Sequence, residues 1–320
     1  MRVVEGLDHL LALDLVALYG EGHESRSAVT VGVFDGVHLG HLRLVHDLLE
    51  LAAELDAVPT AITFRAHPDA LLRGAAPPEL VSVPHRLRLL RRAGVQRLVL
   101  LDFDERLRDM TAEEFATRVL HRALRCRGLL LGFDSRLGRN REGTPERFAE
   151  LGAHLGFVVR KSKPVLVDGE PVSSSAIRDA IARGDLQRSA RLLGRYPSAF
   201  GVVVRGDARG RGLGFPTANL IPQDTVLPPH GVYAVHVIHQ GEAHPAVANL
   251  GRRPTFAGPG AAPAVLEVHL LDWDGDLYGA TIEVSFIAFL REERRFSGTE
   301  ALRAQIARDI ARARAILREA

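Results

Sequence analysis

The chain has 320 residues, of which 46% are hydrophobic and 25% charged, and its formal net charge is +2. This length accommodates two domains, and the composition is that of a globular protein. No apolar run is long enough to span a bilayer, and no basic run has interleaved aromatic residues. We therefore expect neither a membrane nor a nucleic-acid partner.

Cys126 is the single cysteine of the chain. An intrachain disulfide and a cysteine-based zinc site are therefore excluded, and the neighbouring Leu124 and Leu129 predict a packed thiol. The first residues lack the charged-then-apolar layout of a signal peptide. Together these features predict a cytoplasmic protein.

Strand-like and helix-like segments alternate up to about residue 190. Strands are predicted at residues 28–31, 58–64, 97–103, 129–131 and 156–160, and helices at 42–55, 84–92 and 111–125. Thr111 and Glu114 form a capping-box pattern at the start of the third helix. The alternation predicts an α/β domain with a doubly wound parallel sheet.

The pattern changes after about residue 198. Short β-branched runs at 201–205, 232–238, 246–249, 265–271 and 281–286 are separated by Gly- and Pro-rich turns. They predict a small antiparallel β-barrel, and residues 299–317 predict a terminal helix with arginines on one face. We therefore divide the chain into domains 1–190 and 191–320, with the change of pattern near residues 193–197.

The segment Gly32–His41 joins the first of these strands to the first helix. A strand, a tight glycine-containing turn and a helix start are where α/β folds hold phosphates. His38 and His41 lie three residues apart on one face, and Gly40 lets a phosphate approach the backbone. Imidazole donors there would stabilise the charge that develops as a phosphoryl bond breaks. Taken alone, the two histidines fit ordinary surface residues equally well.

A Walker P-loop is excluded, because Lys161 and Lys163 are the only lysines and neither follows a glycine. A second anion site is predicted at residues 173–175, where three serines open a helix and Arg178 follows one turn later. An ordinary serine N-cap beside a solvated arginine is the alternative for this segment taken alone.

The string Gly210–Asn219 stands out in the second half of the chain. Gly214 allows the backbone to approach a ligand, and Pro216 stiffens the turn. Thr217 and Asn219 offer hard oxygen atoms, which suit Mg²⁺ that bridges the phosphates of ATP. A hairpin turn rich in Gly and Arg is the alternative.

Glu267 lies in a predicted strand of alternating polarity. Val265, Glu267 and His269 share one face of this strand, and three apolar residues share the other. A carboxylate beside a hydroxyl group is a suitable general base. An exposed strand glutamate without a function is the ordinary alternative.

Several motifs carry a resemblance to known proteins. The His-x-Gly-His pattern resembles that of the nucleotidyltransferase superfamily, and the whole chain resembles the bacterial bifunctional riboflavin kinase/FMN adenylyltransferases, also called FAD synthetases. The first half matches through Gly32-x-Phe34-Asp35-Gly36-x-His38-x-Gly40-His41, Thr63-Phe64-x-x-His67-Pro68, Gly132-x-Asp134-x-x-x-Gly138 and Ser173-Ser174-Ser175-x-Ile177-Arg178. The second half matches through Gly206, Gly210-Arg211, Leu213-Gly214-Phe215-Pro216-Thr217-Ala218-Asn219, Asn249-x-Gly251-x-Arg253-Pro254-Thr255 and Glu267-x-His269-x-x-Asp272.

The resemblance implies an HxGH-type nucleotidyltransferase domain and a riboflavin kinase barrel, with Mg²⁺, ATP, riboflavin and FMN as ligands and no obligate protein partner. It makes Glu267 the base of the kinase reaction, makes Thr217 and Asn219 the residues that bind the metal, and makes His38, His41 and Arg178 stabilise charge during adenylyl transfer. ATP would contact Gly32, Phe34, Asp35, Gly36, Gly40, Ser173, Ser174, Ser175, Gly206, Arg211, Gly214, Pro216, Thr217 and Asn219. Flavin would contact His67, Asp134, Arg253, Arg291 and Phe296.

Several positions depart from the family pattern, among them Val33, where Asn is common, and Ser175, where Thr is common. Arg65 and Ala66 stand where the family has Asp-Pro, and Ser135 and Leu137 stand where it has aromatic residues. Loss of a stacking aromatic costs about 0.5–1.5 kcal/mol. Two alternatives follow: a riboflavin kinase whose first domain has decayed or adenylylates another acceptor, and a non-catalytic flavin-binding protein.

Overall fold

The computed structural model describes residues 1–205, 214–223, 225–252 and 264–319. The chain divides into two compact units, one made of Met1–Pro77 and Val83–Ser173, the other of Pro78–Ser82 and Ser174–Ala320. Three predicted ATP or flavin contacts, Gly206, Arg211 and Arg253, lie outside the described residues. The domain boundary at residue 190 stays a prediction.

A six-stranded parallel sheet forms the centre of the first unit, with strand order β1-β4-β3-β2-β5-β6. The strands are β1 (Arg2–Glu5), β2 (Ser27–Val31), β3 (Val58–Phe64), β4 (Arg97–Leu101), β5 (Cys126–Leu131) and β6 (Val158–Lys161). Every residue of β2, β3 and β4 is buried, as expected for parallel strands covered on both faces. A two-stranded hairpin follows, made of β7 (Leu166–Val167) and β8 (Glu170–Pro171).

Helices connect and cover these strands. They are α1 (Leu7–Leu11), α2 (Leu15–Tyr19), α3 (Leu39–Glu54), α4 (Asp69–Leu72), α5 (Val83–Arg92), α6 (Glu105–Asp109), α7 (Ala112–Glu114) and α8 (Pro145–Leu155), with 3₁₀ turns at His23–Ser25 and Arg139–Arg141. The predicted capping box of Thr111 and Glu114 opens α7, which continues as a π-helix over Phe115–Ala123. The predicted strand 156–160 is wrong at its start, because Gly156 adopts a left-handed conformation and ends α8.

All six strands are parallel, but the side of β2 on which the next strands are added changes between β4 and β5. From β2 the chain proceeds through β3 to β4 on one side, whereas β5 and β6 extend on the other. In open α/β sheets, ligands bind at the carboxyl ends of strands where the order reverses. The segment after β2 begins at Gly32 and the segment after β5 at Gly132, so both predicted motifs start at this switch point. The predicted doubly wound parallel sheet is confirmed.

In the described part of the second unit, six antiparallel strands close into a barrel of order β10-β13-β12-β11-β14-β9. They are β9 (Ser198–Val204), β10 (Ala218–Leu220), β11 (Gly231–His239), β12 (Glu242–Arg252), β13 (Ala264–Leu270) and β14 (Thr281–Arg291). The helices are α9 (Ser174–Ala182), α10 (Leu186–Leu193) and α11 (Thr299–Leu317).

Apolar side chains fill the barrel and also attach the terminal helix to its outer face. Tyr233, Leu266 and Phe286 belong to the interior cluster. A second cluster outside the barrel joins Ala313 of α11 to Val232 and other strand residues. This arrangement confirms the predicted barrel with a terminal helix. No helix among the described residues combines the length and apolar character needed to cross a membrane.

Candidate functional site

The turn after β2 has an unusual backbone. Phe34, Gly36 and Val37 have φ values of 54°, 81° and 40°. Positive φ is disfavoured for residues other than glycine, and most strongly for a β-branched residue such as valine. Phe34 and Val37 are 0% and 1% exposed, so packing in the core holds both in this conformation. The turn therefore presents its backbone in one fixed shape.

His38 is the N-cap of α3, and its ring stacks on that of His41. The ring centroids lie 3.7 Å apart with planes inclined by 16°. His38 Nδ1 accepts a hydrogen bond from the backbone N–H of His41 at 3.3 Å. Because Nδ1 accepts, the proton of a neutral imidazole lies on Nε2, which makes Nε2 a donor. A Cβ atom at Gly40 would lie 3.1 Å from His38 Cε1, so only glycine fits here without pressing on the ring.

Two side chains from outside the turn bind its backbone at the Val33 carbonyl. Thr63 Oγ1, near the end of β3, donates to this oxygen at 3.0 Å, and Arg86 Nη1 of α5 donates at 2.7 Å. Sequence reasoning placed Thr63 in a motif but missed Arg86. The available signal was a charged residue on the helix face that also carries the buried Leu89 and Leu90.

The predicted flavin contacts of the first unit lie in the segments after β3 and β5. His67 Nδ1 accepts from the backbone N–H of Asp69 at 3.2 Å. Asp134 is exposed in the segment after β5. Arg65, one of the departures from the family pattern, pairs with Glu5 at 2.7 Å and with Asp102 at 3.3 Å. Its guanidinium thus has surface carboxylate partners.

The predicted second anion site lies at the start of α9. Ser173 ends the first unit, and Ser174 begins both α9 and the longer segment of the second unit. Arg178 Nε donates to the Pro78 carbonyl at 2.8 Å. The joint action of Arg178 with the histidine pair stays a prediction.

Three polar residues form a row across neighbouring strands of the barrel. Glu267 of β13 lies opposite Asn219 of β10 on one side and opposite Asn249 of β12 on the other. Cross-strand partners point to the same sheet face. The flanking Leu266 and Val268 belong to the barrel interior, so the row lies on the outer face, where Glu267 is exposed. The predicted alternation of β13 is confirmed for its core-facing residues.

The segment before β10 is held against β13. His269 Nδ1 donates to the Pro216 carbonyl at 2.8 Å, and the His269 ring meets Phe215 edge-on at 5.6 Å. These contacts place Thr217, two residues before Asn219, beside the strand that carries Glu267. Gly214 has a φ of 87°, which favours glycine at this position.

The oxygen atoms of this segment suit a magnesium ion. Asn219 is 5% exposed, and its Oδ1 is buried without a hydrogen-bond partner among the described residues. A buried acceptor without a donor is unfavourable unless a ligand satisfies it. The described residues contain no cluster of three His, Cys, Asp or Glu side chains that could hold a metal. Neutral Thr and Asn oxygens fit Mg²⁺, which keeps several waters and phosphate oxygens as ligands.

A cavity of about 370 Å³ opens beside Thr217 in the second unit. Pro216 and Thr217 line one part, and Trp273, Leu277 and Tyr278 line another. Aromatic walls next to the predicted phosphate-binding segment suit a planar base. Sequence reasoning missed Trp273, Leu277 and Tyr278, because they lie between predicted strands and carry no motif.

The side chain of Asn249 binds a carboxylate outside the row, that of Glu293. Its Nδ2 donates to Glu293 Oε1 at 2.9 Å, so its Oδ1 points away from Glu293. That Oδ1 is buried without a partner in the described part of the chain. A Cβ atom at Gly251 would lie 2.6 Å from Glu293 Oε1, so Glu293 closely approaches the backbone of β12.

The predicted flavin contacts Arg291 and Phe296 lie near each other. The Arg291 guanidinium is 5.6 Å from the Phe296 ring centroid. Its Nε and Nη2 bind the buried Asp309 of α11 at 2.9 Å, and its Nη1 donates to the Glu292 carbonyl. Arg291 therefore also fastens the terminal helix to β14.

The predicted packed thiol is confirmed. Cys126 is 3% exposed, and its Sγ donates to the Gly128 carbonyl. Burial raises the pKa of this thiol to about 12. At neutral pH the side chain is therefore a protonated, unreactive part of the core.

The geometry provides two candidate sites, a histidine pair at a helix start on a parallel sheet and a barrel that carries Thr217, Asn219 and Glu267. Two family models that match the chain define its class as an enzyme with a kinase domain and a nucleotidyltransferase domain. The riboflavin kinase family model matches residues 193–317, and the FAD synthetase family model matches residues 21–176.

Named relatives cover almost the whole chain. A bifunctional riboflavin kinase/FMN adenylyltransferase from Pseudomonas fluorescens is 41% identical over 323 residues, covering 99% of this chain and 98% of that protein. The protein of the same name from Escherichia coli (strain K12) is 36% identical over 311 residues, covering 97% and 96%. The chain belongs to the family of bifunctional riboflavin kinase/FMN adenylyltransferases, as its motifs predicted.

The fold is also that of a solved structure. A crystal structure described as a macrolide-efflux protein from Streptococcus pneumoniae superposes with a TM-score of 0.80 at 29% identity. It covers 98% of this chain and 99% of that chain.

Proposed function

We propose that this chain carries out two ATP-dependent reactions in sequence, riboflavin to FMN in the barrel and FMN to FAD in the first unit. The two family models and the bifunctional relatives support this assignment. For the kinase reaction, the observation that carries it is the row in which Glu267 lies between Asn219 and Asn249.

In the kinase reaction, the Glu267 carboxylate takes the proton of the terminal ribityl hydroxyl as that oxygen attacks the γ-phosphorus of ATP. The bond from the γ-phosphorus to its bridging oxygen breaks, and ADP leaves. Thr217 and Asn219 would hold Mg²⁺. When bound, this ion would neutralise charge on the ATP phosphates. The aromatic-walled cavity beside Thr217 would receive the adenine.

In the adenylyltransferase reaction, a phosphate oxygen of FMN attacks the α-phosphorus of ATP and pyrophosphate leaves. The Nε2–H of His38 and the ring of His41 lie at the N-terminus of α3, where the helix dipole also favours an anion. Donors fixed in advance at this place stabilise the charge that develops on the phosphate oxygens. We assign Arg178 and Ser173–Ser175 to the same reaction from the family motif.

The test is incubation of purified protein with riboflavin and Mg-ATP, followed by chromatographic separation of the flavins. FMN followed by FAD is the expected result. FMN alone, with pyrophosphate released only when a non-flavin acceptor is added, would favour a re-targeted first unit. Tight flavin binding without ATP turnover would contradict the enzyme assignment. A cytoplasmic location and the lack of an obligate protein partner remain predictions.

A further inference from the structure

The histidine turn, Gly32–His41, depends on contacts with other parts of the first unit to keep its conformation. Phe34 and Val37 occupy a backbone region that is sterically unfavourable for both residues. Such conformations persist only where surrounding contacts determine them. Burial fixes the two side chains, but the turn backbone also needs hydrogen bonds to keep its orientation relative to the sheet.

The Val33 carbonyl accepts the hydrogen bonds that hold the turn backbone. Arg86 Nη1 donates to it at 2.7 Å, and Thr63 Oγ1 donates at 3.0 Å. Arg86 Nη2 also reaches the Arg65 carbonyl at 3.5 Å. Val33 lies two residues beyond the end of β2, and Arg65 lies one residue beyond the end of β3. One guanidinium therefore links the segments that leave two neighbouring strands.

Arg86 makes these contacts from a fully buried position. It is 1% exposed and is the largest fully buried side chain among the described residues. Burial of a charge is costly unless hydrogen bonds compensate it. The guanidinium is a planar fork with five donors, so one side chain can hold two carbonyls at once, which the compact ammonium of lysine does less well.

We infer that Arg86 is a positioning residue for adenylyl transfer: through the Val33 carbonyl it fixes the turn that carries His38 and His41. The inference rests on the proposed function of this turn as the ATP phosphate site. Arg86 itself contacts the backbone of the turn and is not assigned a contact with ATP. The contact between the Phe34 and His41 rings, at 5.2 Å, connects the supported backbone to the histidine pair.

The experiment compares R86A and R86K in the full-length enzyme, with FAD formation measured from supplied FMN and Mg-ATP well below the melting temperature. In R86A we expect kcat to fall at least about tenfold, because displacement of a catalytic group by a fraction of an ångström has effects of this order. The KM for ATP should change less than kcat, and added guanidinium ion should restore part of the rate. R86K should stay impaired although it keeps the charge.

Two controls test whether the effect is specific to the turn: the kinase activity of the same protein and a second arginine variant. Riboflavin kinase activity, measured on the same preparations, should be unchanged. R91A changes an exposed arginine on the same helix and should leave FAD formation unchanged.

Unchanged kcat and KM in folded R86A would overturn the inference. If R86A fails to fold, R86K decides: a wild-type kcat overturns the inference, and a reduced kcat with a normal melting temperature supports it. H38A tests the role of the turn separately from the role of Arg86. Full FAD formation in H38A would refute the proposed role of the turn itself, whereas its loss alongside an active R86A would refute only the role of Arg86.

Discussion

The histidine turn and the barrel row hold their polar groups in different ways. The turn is ten consecutive residues, Gly32–His41, and it owes its shape to a strained backbone fixed by buried side chains and by Arg86. The row collects Asn219, Asn249 and Glu267 from three strands, and the register of regular strands aligns them. We therefore expect the turn to be sensitive to changes of backbone and glycine, and the row to changes of side-chain chemistry.

The largest effect should come from the row. E267Q keeps the shape of the side chain but removes the base, so kcat for FMN formation should fall about 10²- to 10⁴-fold. FAD formation from supplied FMN should be unchanged, as measured by chromatography of both reactions. E242Q, at an exposed carboxylate on β12, is the control. Normal FMN formation by E267Q would refute the base assignment.

The next effect should come from the turn. H38A removes the Nε2 donor, and we expect kcat for FAD formation to fall about 10²-fold. The lost N-cap should also lower the free energy of unfolding by about 1 kcal/mol. Kinase activity should be retained, and H46A, at an exposed position on α3, should behave as wild type. A kinase defect equal to the FAD defect would show that the two sites are not separable.

A smaller effect is expected from G40A, which disturbs the packing of the histidine turn but leaves both histidine side chains in place. In G40A the new Cβ atom would lie 3.1 Å from His38 Cε1, so the ring must shift by a few tenths of an ångström. We expect FAD formation to fall roughly threefold to tenfold with little change in melting temperature. At the N-cap of α11, outside the barrel strands, the Cβ atom of G298A would meet no atom within 4 Å, so FMN formation should be unchanged. Wild-type FAD formation in G40A would argue against a tightly fixed histidine pair.

The smallest effect concerns the barrel at alkaline pH. Burial raises the pKa of Tyr233 from 10.0 to about 12, and its hydroxyl donates to the Pro229 carbonyl. Between these values the unfolded chain ionises while the folded tyrosine keeps its proton, so the free energy of unfolding falls as pH rises from 10 to 12. Y233F should show a shallower decline in this window.

Urea unfolding measured by fluorescence suits this test, because Trp273 is the only tryptophan and lies in the second unit. Loss of the hydroxyl should also cost about 1 kcal/mol at pH 8. An identical slope in Y233F and wild type would mean that this tyrosine does not contribute to the alkaline decline.

Much of the fold follows from local sequence patterns. Strand β3 and helix α11 have the predicted bounds, because a run rich in β-branched and apolar residues and a long 3.6-residue periodicity are local signals. The strand β10 was missed, since three residues with a central asparagine show no alternation. Gly156 was assigned to a strand although it caps a helix, because a glycine at a boundary fits either element.

For the candidate sites, the sequence by itself determined the residue types and the segments that carry them. The histidine turn was visible because its ten residues are contiguous and lie between a strand and a helix. Only the tertiary structure placed Asn249 beside Glu267, because strand register depends on pairing between distant segments. Only the tertiary structure brought Arg86 to the backbone of the turn. An arginine in a sequence is expected at the surface, and its burial here depends on carbonyls in the segments that follow two other strands.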